Sequence, residues 1–93
     1  MEEKEDLIET LVDKIHESMS AAVAAIESIG EDRRSNITHF INAEYNIGKY
    51  HAYMNVMEDL NIETFVMCHE KYKEDWHKVM QGMEKLYQMV ERQ

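Results

Sequence analysis

No proline occurs in the 93 residues, and that absence constrains the chain more than any motif it carries. Proline fixes φ, removes a backbone donor and stops helices, so a chain without it can run in long uninterrupted helices. The apolar spacing says the same. Ile8, Val12, Ile15, Met19, Ala22, Ile26 and Ile29 recur at alternating steps of four and three. A second seam runs Phe40, Ala43, Ile47, Tyr50, Met54, Met57, and a third runs Ile62, Phe65, His69, Tyr72, Trp76, Val79, Met83, Leu86, Val90. Steps of three and four keep one stripe of a helix turned toward a neighbour. Strand-like alternation is not evident.

These seams predict an all-α fold: an elongated three-helix up-down-up bundle with coiled-coil-like seams, forming one domain over 1–93. The helices are expected at about 3–29, 35–60 and 62–91. Gly30 stands where a C-terminal cap belongs, and Asp32 or Ser35 can cap the second helix. At the second boundary Asn61 can cap the third helix or take a left-handed conformation. No glycine or proline enforces a stop there. A two-helix hairpin with one long continuous second helix is therefore the competing architecture.

Charge is segregated along this frame. The chain has 19 acidic and 10 basic side chains, net −9. Residues 1–32 hold ten acids against two lysines, and so carry −8 of that total. Glu2, Asp6, Glu9, Asp13 and Glu17 are spaced four, three, four and four, a single helical stripe about 22 Å long. Acids early in a helix favour the macrodipole and promote solubility. The same stripe suits docking to a basic protein surface, because carboxylates about 5–6 Å apart imitate the spacing of backbone phosphates. Direct contact with nucleic acid is disfavoured by the net charge.

The second helix carries apolar residues beyond its seam: Ile37, Ile41, Tyr45, Ala52, Tyr53, Val56 and Leu60. A helix that is hydrophobic on most sides is usually covered on most sides. A homodimer, or another protein partner, is expected to cover what the bundle leaves. Tyr45, Tyr50 and Tyr53, with His51, have the apolar bodies and polar tips favoured at interfaces. Gly48 lies in the same segment, where close helix approach would account for it, as would simple tolerance of a mid-helix glycine.

Chemistry is sparse. One cysteine forbids an internal disulfide. Asp13–His16 and Glu74–His77 have the carboxylate-x-x-His spacing of ferritin-like centres, but both pairs lie off the seams and no inward glutamates accompany them. His69 is the one histidine on a seam, which suits a structural or pH-sensitive role. Cys68 flanks that seam without a base to activate it. No phosphate loop, nucleophile elbow or zinc spacing occurs. No catalytic residue, metal or cofactor is expected, and the chain is read as a non-enzyme. No apolar run reaches the roughly 18 residues of a membrane span. The acidic start MEEKEDLIET is unlike a signal or transit peptide, so a cytoplasmic, membrane-free protein is expected.

Small helical chorismate mutases have similar length but need arginines on their first helix, where this chain has only Lys4 and Lys14. In size and charge, though in no motif, the chain is similar to small acidic helical inhibitors encoded by bacteriophages. That likeness implies action in a host cytoplasm. The expected function is a small acidic binding module, a regulator or inhibitor that occludes the basic surface of a partner such as a nucleic-acid-processing enzyme. The expected contact residues are Glu2, Asp6, Glu9, Asp13, Glu17, Tyr45, Tyr50 and Tyr53. The alternative is a structural homo-oligomeric bundle in which the acids only solubilise.

Overall fold

A computed structural model describes residues 2–91 as three helices, α1 (Glu2–Glu27), α2 (Arg33–Leu60) and α3 (Ile62–Glu91). Met1, Arg92 and Gln93, the ends of the predicted domain, lie outside the described residues. Position rises along α2 as it falls along α3: Phe40 sits 6.5 Å from Tyr87 and Tyr50 sits 6.3 Å from Trp76, ring centre to ring centre. Along α1 and α3 it rises together, from His16 beside Tyr72 to Glu27 beside Lys78. The topology is therefore up-down-up, and all three helices pack on one another. The molecule is a rod of 53 × 19 × 16 Å. A rod this thin has room for one buried stripe per helix.

Residues that terminate the helices do so by hydrogen bonding. Ser28 Oγ donates to Ala24 O at 2.8 Å and its amide is shared between Ala24 O and Ala25 O, which tightens the last turn of α1. Asn36 then clasps the connection. Its Nδ2 donates to Gly30 O at 2.9 Å and its Oδ1 accepts from Gly30 N at 3.1 Å. The side-chain amide thus pairs with both backbone polar groups of Gly30, and Asn36 is buried without losing a polar partner. The C-terminal cap expected at Gly30 is not formed there: α1 has already ended three residues earlier, and no described glycine has positive φ. Asp32 occupies the N-cap position of α2, where its carboxylate accepts from Ser35 Oγ at 2.7 Å rather than from a backbone amide. That hydroxyl holds the Asp32 carboxyl below the usual carboxylate range.

A single residue separates α2 from α3. Asn61 is extended, with φ −157° and ψ 96°, which breaks the helix and excludes the continuous alternative. Its amide still closes α2 on Met57 O at 2.8 Å. Its Oδ1 accepts from Thr64 N and its carbonyl from Phe65 N, both at 3.0 Å. Asn61 therefore ends one helix and caps the next, which is why no glycine or proline is needed.

The core runs the length of the rod. Ile15, Met19, Met57, Val79 and Leu86 are its largest fully buried side chains, each contributing about 1.5–3 kcal/mol of hydrophobic stabilisation. The first two seams face inward as expected, and the third does so at Phe65 and from Tyr72 to Leu86 but not at Ile62 and His69. Cys68 is buried at 6% exposure while His69 and Ile62 face solvent, so the inward stripe begins Phe65, Cys68, Tyr72 rather than Ile62, Phe65, His69. The side chain of Val90, the last position of that seam, lies outside the described set. Gly48 has nothing within 4 Å of where a Cβ would stand, so helix approach within the bundle does not explain it. Gly82 has that role instead. A Cβ there would fall on the side chain of Ile26, where α3 crosses α1.

Candidate functional site

Three surfaces are candidates. The first is the outer face of α1. Residues advance about 100° per step around a helix, which puts Glu2, Asp6, Glu9, Asp13 and Glu17 on the side opposite Leu11, Ile15, Ala22 and Ile26. All five acids are exposed and those four apolar residues are buried. Lys14 Nζ lies 3.5 Å from Glu17 across one turn, an exposed pair that trims the stripe at its end. Glu2, Asp6, Glu9 and Asp13 form no ion pair with another described residue.

The second is a groove of about 410 Å³ between α2 and α3. Tyr50, Met54, Phe65 and Trp76 contribute apolar lining, and His51, His69, Lys73 and His77 contribute polar groups. Its geometry is aromatic. His51 meets Trp76 edge-on with centroids 4.5 Å apart, and Phe65 stacks on His69 at 6.3 Å. Periodicity placed His77 away from the packed stripe, but the antiparallel hairpin brings it to the groove beside Trp76. The histidines do not assemble a metal centre: among the described residues no three His, Cys, Asp or Glu side chains converge.

Beneath this groove the hydroxyls and the thiol are structural. Tyr50 is 5% exposed, with its ring edge-on to Tyr72 at 6.2 Å. Burial, and then the nearby Cys68, Tyr72 and Asp75, push its hydroxyl up to about 12. Burial likewise raises Cys68 and Tyr72. A thiol kept protonated by burial is a poor nucleophile. Tyr72 is anchored from α1, its hydroxyl 2.8 Å from His16 Nδ1.

The third surface is the outer face of α2. Of the three tyrosines expected at an interface, the bundle separates all three. Tyr45 is 63% exposed and lies under Lys49, whose Nζ is 5.2 Å from the ring centre. Tyr53 is half-buried against the core. Tyr50 belongs to the core at 5% exposure, away from the outer face, and meets the surface only as lining of the groove. The outward companions of Tyr45 are Ile37, Ile41, Gly48, Ala52 and Val56, all exposed. Sequence reasoning saw the excess apolar residues but not that they form one stripe. Their steps of four, four, three, four and four carried that signal.

Comparison with protein-family models, with curated proteins and with solved structures finds no match. Among the described residues no helix is long and apolar enough to cross a membrane.

Proposed function

We propose that the protein is a small binding module that docks the outer face of α1 on a basic protein surface and so occludes it. The observation that supports this most directly is the segregation of charge. Residues 1–32 hold ten acids and two lysines, while the remaining 61 residues hold nine acids and eight bases. Acids alone keep a surface soluble, but one helix face of a single sign also creates a directed field that steers association with its opposite. Four of the stripe's acids lack an intramolecular cation among the described residues, so their charge is available to a partner. A regulator or inhibitor acting by steric occlusion or phosphate mimicry is the functional class that fits, with a nucleic-acid-processing enzyme as the natural target.

The test is affinity capture from the native host with two baits, the natural chain and a variant carrying Glu2, Asp6, Glu9 and Asp13 each changed to lysine. The expected result is a partner held at low ionic strength, released as salt rises, and absent from the charge-reversed bait while helicity by circular dichroism is unchanged. Screening lengths fall from about 10 Å at 0.1 M to about 3 Å at 1 M salt. Capture that is indifferent to salt, or equal for both baits, would overturn the proposal.

A further inference from the structure

The outer stripe of α2 extends beyond its apolar residues. Arg34 and Asp59 lie on the same face, so the full stripe reads Arg34, Ile37, Ile41, Tyr45, Gly48, Ala52, Val56, Asp59, all exposed. It points directly away from Ala43, Ile47, Tyr50 and Met54, the buried stripe of the same helix. Its steps are three, four, four, three, four, four and three, which read the same from either end about a centre between Asn46 and Ile47. The sequence on that symmetric frame is complementary under reversal. Turning the helix end for end and laying it on itself sets Tyr45 opposite Gly48, Ile41 opposite Ala52, Ile37 opposite Val56 and Arg34 opposite Asp59. Each large side chain meets a smaller one, and each charge meets its opposite.

The helix ends that carry these charges point the same way. α2 begins with Arg33 and Arg34 and ends with Glu58 and Asp59, with no acid in its first turn and no base in its last. Cations at a helix N-terminus and anions at its C-terminus both oppose the macrodipole; the N-cap Asp32 offsets part of this at the first end, and no base does so at the second. Neither Arg34 nor Asp59 forms an ion pair within the described chain to offset this. An antiparallel neighbour offsets it at both ends at once, because each base then sits beside the acid and the negative helix end of the other copy.

We infer that α2 is a self-association face, and that two copies of the chain pair through it as an antiparallel dimer with its two-fold axis at the midpoint of α2. The contact is isologous, so every pairing occurs twice and the assembly closes at two copies. Steps of three and four match knobs-into-holes packing along a face about 37 Å long. Gly48 lets Tyr45 of the second copy approach the backbone closely, which accounts for a mid-helix glycine with empty space around it. A parallel pair would set Arg34 against Arg34 and Asp59 against Asp59. Residues 33–61 carry equal numbers of acids and bases, so this face pairs without the self-repulsion that α1 would impose. The inference does not rest on the docking proposed for α1, because the two faces lie on different helices and both can be occupied together.

Sedimentation of the full chain across about 1–100 µM should show a monomer–dimer equilibrium. Arg34→Asp alone and Asp59→Arg alone should each raise the dissociation constant roughly tenfold, by turning two attractive contacts repulsive. The combined swap should restore it. The combined variant also places its charges with the macrodipole, so its monomer should be no less stable than the natural one. Gly48→Leu should raise the melting temperature of the dilute monomer yet abolish the dimer. Direction is read by cross-linking in a Cys68→Ser background: Arg34→Cys and Asp59→Cys proteins should form a disulfide only when mixed. A monomer throughout the concentration range, a Gly48→Leu variant that dimerises as before, or cross-links within each cysteine variant alone would overturn the inference.

Discussion

The outer faces of α1 and α2 occupy equivalent places in the bundle and carry opposite chemistry. Both lie directly across their helix from the core, and neither is covered by the chain. On α1 that face is carboxylate, and Leu7 is the helix's one exposed large apolar side chain among the described residues. On α2 the face is apolar, with Ile41 59% exposed and Val56 48% exposed. Since the core uses one stripe per helix, neither outer face is dictated by folding. Water accounts for the first without a partner; nothing about water accounts for the second. A stripe of isoleucine, tyrosine and valine left open is what the antiparallel pairing proposed above would cover.

The comparison breaks most sharply if inner and outer residues of like size are exchanged for alanine. Ile15→Ala, at a fully buried site, should lower the unfolding free energy by about 2–5 kcal/mol. Ile41→Ala, on the open face, should change that of the dilute monomer by less than about 0.5 kcal/mol. Urea titration of both at submicromolar concentration reads the contrast directly, and equal losses would mean the outer face is packed after all.

A smaller effect marks the buried side of α2 by pH. Tyr50 ionises near 10 when unfolded and is pushed up to about 12 when folded. Its folded value is raised, so its contribution is intact below pH 10 and is lost as pH rises toward 12. The loss should total roughly 2–3 kcal/mol. Tyr50→Phe should flatten most of this alkaline slope in melting temperature, leaving a residue from Tyr72 and Cys68, which burial shifts in the same direction.

The finest contrast lies between two glycines. Gly82→Ala should cost about 1–3 kcal/mol, because Ile26 is a stiff side chain that must move to admit the methyl group. Gly48→Ala should gain about 0.5–1 kcal/mol in the dilute monomer, since it improves helix propensity and meets nothing. Chemical denaturation that ranked the two in the opposite order would contradict the helix placement.

Much of this architecture was legible in the residues themselves. The first two seams are unbroken aliphatic and methionine series, so their phase is unambiguous. The third is mixed at its start: spacing alone puts Ile62 and His69 inward with Cys68 beside them, whereas the packed bundle buries Cys68, a small apolar residue, and leaves Ile62 and His69 exposed. A lone glycine likewise does not say which helix crosses it; Gly48 and Gly82 look alike until the rod is assembled. The Asn36–Gly30 clasp was invisible for a related reason: it joins a side chain to a backbone unit, and no periodicity reports that. The groove residues His51 and Trp76 are 25 positions apart and meet only through the antiparallel turn.

That turn has a practical consequence for anyone wishing to graft a label or peptide into the molecule. Asn61 serves Met57, Thr64 and Phe65 at once within a one-residue connection, so any insertion beside it severs two helix ends and shifts the hairpin out of register. Between Glu31 and Asp32 the backbone is exposed, and added chain only lengthens a loop that Asn36 closes from outside. Loop length there costs about 0.6 kcal/mol per doubling. The tolerant entry point for engineered cargo is thus the first connection, and the second is effectively sealed.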